Sequence, residues 1–157
     1  MRTKDNQKHG IISKKLYKDI VSTIPITCVD LILVHNNKFL LGKRINKPLN
    51  NKWCFPGGRI LKGEPLTQAI YRKLWDETGL NKKDVGSINF LTVKDVFYPD
   101  SEFNSSMHNI NIIYKIQIKS ADNLKPDSQH SNLNWFSRID KKWPLYVKQA
   151  LKLGGFK

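Results

Sequence analysis

Only three glutamates occur in the 157 residues, and two of them, Glu64 and Glu77, fall inside the segment from Gly58 to Leu80. The segment runs Gly58, five residues, Glu64, seven residues, Arg72, then Leu74, Asp76, Glu77 and Gly79-Leu80. It follows Pro56-Gly57-Gly58, a break at which backbone can come close to a ligand. Pro65 suits the first turn of a helix, Leu66, Ala69, Ile70 and Leu74 form an apolar stripe, and Gly79 closes the helix as a C-terminal cap. This pattern predicts a helix over about 65–78. At 100° per residue, Arg72, Lys73, Asp76 and Glu77 span about 140° of the face opposite the stripe. An acidic patch placed so can coordinate a hard cation such as Mg²⁺ through oxygen ligands. The same residues also fit a solvated face with an Arg72–Asp76 pair at i,i+4.

The rest of the chain supplies strands. Ile12, Leu16 and Ile20 fit a short amphipathic helix ended by Pro25, behind a polar tail at 1–10. Residues 26–35 and 38–44 are β-rich runs joined by Asn36-Asn37, which tolerate positive φ, and so predict a hairpin. Trp53-Cys54-Phe55 reads as a short strand, 87–97 and 108–119 as long strands, and 133–136 as another short one. In the second long strand Ile110, Ile112, Ile116 and Ile118 alternate with Asn111, Lys115 and Gln117. Residues 99–107 and 126–130 read as loops, and 144–153 as a terminal helix before Gly154-Gly155. The order β, β, β, α, β, β, β, α predicts an α/β domain with a mixed β-sheet and helices on its faces, with 11–157 as one domain.

Composition narrows the function. Lys and Arg number 27 against 13 Asp and Glu, a net charge of +14. The lysines are scattered, and only five of the 27 bases are arginine, the better fork for bases and phosphates. A diffuse positive field that attracts an anionic substrate accounts for this charge, and the scatter argues against nucleic acid as a partner. No run approaches the length of a membrane span, which predicts a cytoplasmic protein with no membrane contact. Cys28 and Cys54 read as buried free thiols, and Trp53, Trp75, Trp135 and Trp143 as core or interface aromatics. Of the histidines, His9 reads as tail, His35 as turn and His108 as strand end.

The spacing from Gly58 to Leu80 resembles the Nudix box, G-x5-E-x7-R-E-U-x-E-E-x-G-U, with Gly58, Glu64, Arg72, Asp76, Glu77 and Gly79 on its positions. The resemblance implies a Nudix-type α/β/α sandwich in which the box is a loop, helix and loop carrying a metal site. One position departs: Lys73 stands where the box has its first Glu after Arg, so a single Mg²⁺ per subunit is expected, with Mn²⁺ as an alternative. Loss of activity is the competing expectation.

Leu40-Leu41-Gly42-Lys43-Arg44, Pro48, Trp53, Phe55-Pro56-Gly57-Gly58-Arg59, Pro126-Asp127-Ser128-Gln129-His130 and Trp135 together resemble the GDP-mannose mannosyl hydrolase branch of that family. The resemblance implies release of GDP and a free hexose by attack of water at sugar C1. It implies Glu77, the Gly57 carbonyl and Gln129 as metal ligands, Arg44 and Arg59 as partners of the leaving diphosphate, and His130 as general base. Asp30 falls where an acidic residue arranges the site, and Ile11, Ile12 and Tyr17 where the nucleotide is contacted, Tyr17 offering a ring for base stacking. Asn109 falls near a phosphate-contacting tyrosine of that branch. A homodimer is implied as well. The alternatives are a conventional Nudix pyrophosphatase acting at phosphorus and a Nudix-fold protein that binds nucleotide or nucleic acid without turnover.

Overall fold

The computed structural model describes residues 12–126 and 130–157. The 1–10 tail, Ile11, His9 and Gln129 therefore lie outside the described residues. Helix α1 (Lys14–Thr23) starts at Ser13, whose side chain caps the Leu16 amide, and gives way to β1 (Ile26–His35). β2 (Lys38–Arg44), β3 (Trp53–Cys54) and β4 (Gly57–Arg59) follow, then α2 (Leu66–Thr78), β5 (Val85–Tyr98), β6 (Met107–Ile118), β7 (His130–Phe136) and α3 (Leu145–Leu153). The hairpin forms as expected, with Asn36 and Asn37 at φ 49° and 60°. Helix α2 ends at Gly79 in the left-handed conformation, also as expected.

Among the described residues seven strands make one mixed sheet, five of them in the order β3-β2-β1-β6-β5. β1 runs parallel to β6, while β4 pairs antiparallel with residues 28–30 of β1, and β7 pairs with β2. Alternation along β1 sends Val29, Leu31 and Leu33 to one face, where they pack with Ala69, Ile70 and Leu74 of α2. It sends Ile32 and Val34 to the other face, where they pack with Val147, Ala150 and Leu151 of α3. Helix α3 covers only that end of the face. At the opposite end Ile26 and Cys28 pack with Val21, Tyr17 and Ile20 of α1. Between the two helices no other helix among the described residues covers the sheet.

Three local readings change. The segment expected as a loop up to residue 130 ends earlier: His130 is the first residue of β7, paired with Arg44. Ladder pairing runs from Lys43↔Asn132 to Arg44↔His130, so Ser131 is an extra residue in β7, a bulge that no local sequence pattern announces. The glycines expected as a break form the short strand β4, and His35, expected in a turn, closes β1 with its ring on the Ile118 carbonyl. Trp143 is buried and Trp53 and Trp135 pack on the core, but Trp75 is 58% exposed.

Candidate functional site

The hydrogen bonds Leu31 N–H to Pro56 O and Ile60 N–H to Thr27 O turn one edge of β4 toward β1, which leaves the polar groups of Gly57 and Arg59 on the outer edge. Side chains of the box satisfy that edge. The Gly57 N–H donates to Glu77 Oε2 at 2.9 Å, and Arg72 Nη2 donates to the Arg59 carbonyl at 3.1 Å. Arg72 also grips Glu64 with two bonds of 2.6 and 2.7 Å, and Glu64 accepts the Leu61 N–H at 3.0 Å. Burial raises the Glu64 carboxyl, but the Arg72 fork and the Leu61 amide outweigh it and hold the group below its usual range. Asp76 reaches Arg72 at 3.6 Å. The face predicted from helix spacing is thus divided: Arg72 pairs with Asp76 and with Glu64 ahead of the helix, and Glu77 turns inward, 5% exposed.

Lys73 sits beside it, with Nζ 3.1 Å from Glu77 Oε1. Gly58 has φ 142°, and a Cβ there would lie 2.9 Å from Lys73 Nζ. The ammonium is therefore packed over the Gly58 backbone in space that only a glycine leaves.

The open part of the sheet is the floor of a cleft of ≈ 530 Å³, within the range of small-molecule sites. Asp30 and Cys28 of β1 and Asn109 and Asn111 of β6 line the floor, and Gly57, Gly58 and Arg59 form one wall. Arg44 stands at the end of β2, its Nε donating to the Pro48 carbonyl at 2.9 Å. Tyr17 of α1 stands next to Arg59, and residues of the 45–52 and 99–106 loops close the far side. Lys47 Nζ ties these loops together, 2.5 Å from Asp100 Oδ2 and 3.3 Å from Asn104 Oδ1.

Asp30 is the titratable centre of the floor. Burial pushes its carboxyl up to about 7; the Asn111 amide, donating to Oδ2 at 2.6 Å, opposes this, Glu77 adds to it, and Arg44 and Lys73 oppose it. The same burial pushes the Cys28 and Cys54 thiols up to about 12, so neither is a thiolate nucleophile at neutral pH.

Of the residues singled out from sequence, Tyr17, Asp30, Arg44, Gly57, Gly58 and Arg59 come together on the cleft. Glu64, Arg72, Asp76 and Gly79 do not line it; they hold the box segment in place. Ile12 is half-buried and is not part of the lining. His130 is 4% exposed, with its ring against Gly42, where a Cβ would overlap the imidazole. Among the described residues it stands beside Arg44 in the sheet and outside the lining. Asn111 reads from sequence only as the polar half of an alternating strand. It is 2% exposed and faces Asp30, because that side of β6 meets the cleft floor and not water.

Among the described residues no three His, Cys, Asp or Glu side chains gather as a metal cluster. Glu77 and the Gly57 carbonyl, which shares the outer edge of β4 with the amide bound to Glu77, are hard oxygen donors on one spot. Glu64 is taken by Arg72 and Lys73 is already on Glu77, so among the described residues Glu77 is the carboxylate beside Gly57 that could meet a hard cation. No helix among the described residues is long and apolar enough to cross a membrane.

The sequence model of the Nudix domain matches residues 26–149. The chain is 35% identical over 137 residues to the low-salt glycan biosynthesis protein Agl8 of Haloferax volcanii, covering 86% of this chain and 85% of that protein. It is 41% identical over 59 residues to an ADP-ribose pyrophosphatase of Methanocaldococcus jannaschii, covering 38% of this chain and 35% of that one. The fold superposes on a MutT Nudix hydrolase from Burkholderia pseudomallei with a TM-score of 0.69 at 21% identity, covering 83% of this chain and 98% of the other. With the domain matched over most of its length and a relative aligned along most of both chains, this chain belongs to the Nudix hydrolase family.

Proposed function

We propose that the chain hydrolyses a GDP-hexose, GDP-mannose or GDP-glucose, to GDP and free sugar, by attack of water at sugar C1, with one Mg²⁺ or Mn²⁺ per subunit. The observation that carries this reading is the convergence of Arg44 and Arg59 on one cleft whose floor holds Asp30 and two asparagines. Two guanidinium groups suit the charge that builds on a departing diphosphate, and a polar floor suits a hexose. The similarity to a protein named for glycan biosynthesis supports a nucleotide sugar as substrate class.

Glu77, the Gly57 carbonyl and Gln129 would hold the cation, which when bound neutralises diphosphate oxygens. Arg44 and Arg59 bind and orient the diphosphate. Asp30, held by Asn111, fixes the floor on which the sugar lies. His130 takes the proton of the attacking water as general base.

The position of His130 outside the lining, and the similarity to an ADP-ribose pyrophosphatase, favour a second reading: cleavage at phosphorus to GMP and a sugar phosphate. Incubation of GDP-mannose with Mg²⁺, wild type beside His130→Ala, separates the two. GDP and mannose from the wild type, with a loss of about 10²-fold or more in the variant, is the expected result. GMP and mannose phosphate, unaffected by the substitution, would establish the second reading.

A further inference from the structure

We propose that Tyr17 is the positioning residue for Arg59, and that helix α1 thereby belongs to the diphosphate-binding side of the cleft. The Arg59 guanidinium lies over the Tyr17 ring, 5.1 Å from its centroid. The ring is itself held: Phe103 meets it edge-on at 5.8 Å and 73°, and it packs against the cluster of Val21, Ile26 and Cys28.

Arg59 is fixed at both ends. Its backbone pairs with Cys28 in the sheet and its carbonyl accepts from Arg72, so the box sets where the side chain begins. A free arginine head carries about 2 kcal/mol of rotamer entropy, and the Tyr17 ring restricts where this one ends. With its guanidinium carbon over the ring, the Arg59 head is attracted by the ring face and limited in where it can stand, while its N–H donors are the groups that grip an oxyanion. A ring that carries an arginine on its face serves that arginine before it serves a base. Tyr17 also lies ahead of residues 26–149, the span matched by the domain model, so the matched domain does not contain the whole of this cleft.

The inference rests on the cleft being a diphosphate site, and its test does not require turnover. Affinity for inorganic pyrophosphate with Mg²⁺ present, and for guanosine, is measured by calorimetry for wild type, Tyr17→Phe, Tyr17→Leu, Arg59→Ala and the Leu/Ala double variant. Tyr17→Met replaces Tyr17→Leu if the latter does not fold. The expected result is a three- to tenfold loss of pyrophosphate affinity in Tyr17→Leu, about the reach of one cation–π contact, with Tyr17→Phe within about twofold of wild type. In the Arg59→Ala background the same change at Tyr17 has no further effect, which a merely structural role would not produce.

Equal losses in both backgrounds would overturn the inference. So would lost guanosine affinity with pyrophosphate affinity kept, which would make Tyr17 a base-stacking ring. Failure of the wild type to bind pyrophosphate would overturn it together with the reading beneath it. Coupled pyrophosphate binding without hydrolysis of any GDP-hexose would uphold the Tyr17 inference and overturn only the proposed reaction.

Discussion

The wall of the cleft made by β4 is braced from behind by charge-assisted hydrogen bonds within the box segment, between residues at most 20 positions apart: Arg72 on Glu64 and on the Arg59 carbonyl, Glu77 on the Gly57 amide. The facing side, made by the 45–52 and 99–106 loops, is held by exposed pairs such as Lys47–Asp100 between segments far apart in the chain. Short, partly buried, bidentate bonds resist deformation, while exposed pairs contribute little and are screened by salt. The first wall is thus a preset cradle, and the second is the part free to adjust around a ligand.

The comparison breaks most sharply at Gly57. A Cβ there would overlap the Val29 carbonyl oxygen and come within 2.6 Å of Asp30 Oδ1. Gly57→Ala is therefore expected to cost about 3 kcal/mol in denaturant unfolding; a cost below about 1 kcal/mol would mean that β4 can move and that the cradle is not rigid.

Glu64→Gln comes next, at about 2 kcal/mol, because Arg72 keeps its partly buried site but loses its ionic partner. The Glu64 carboxyl is held below its ordinary range, so its contribution is present above that range and lost as the pH falls through it. Melting curves of wild type and variant should therefore converge in acid, and a gap that stays constant with pH would contradict the ion-pair account.

Asp30 behaves in the opposite sense. Its pKa in the fold is raised to about 7, so its contribution to stability is present below the ordinary carboxylate range and is lost as the pH rises toward 7. Asp30→Asn keeps an acceptor for the Asn111 amide and removes the buried charge. Relative to wild type it should gain on the order of 1–2 kcal/mol between pH 5 and pH 8, measured without divalent metal. A gain independent of pH would contradict a titration of Asp30 within this range. On the facing side, Lys47→Ala removes an exposed pair and should leave the melting temperature unmoved at physiological salt. A clear drop would mean that this wall is as rigid as the other.

The same contrast separates what the amino-acid sequence makes legible from what it hides. Helix α2, its Gly79 cap and the Asn36-Asn37 hairpin follow from local pattern: stripe spacing, a left-handed cap and two residues tolerant of positive φ. The box residues, too, are close in sequence, so their spacing announces their proximity. The position of His130 is not legible in this way, because it depends on the Ser131 bulge and on the space left by Gly42, which a single strand does not encode. Asn111 is hidden for a related reason: alternation tells which residues share a face, but not whether that face meets water or a cleft. The contact of the Arg59 guanidinium with the Tyr17 ring joins residues on different elements, and no spacing rule connects them.

The central claim, attack at sugar carbon in this cleft, is tested most directly by hydrolysing GDP-mannose in ¹⁸O water with Mg²⁺ and weighing the products by mass spectrometry. The label is expected in free mannose, with GDP unlabelled. Label in GMP or in mannose phosphate would contradict it and assign the chain to cleavage at phosphorus.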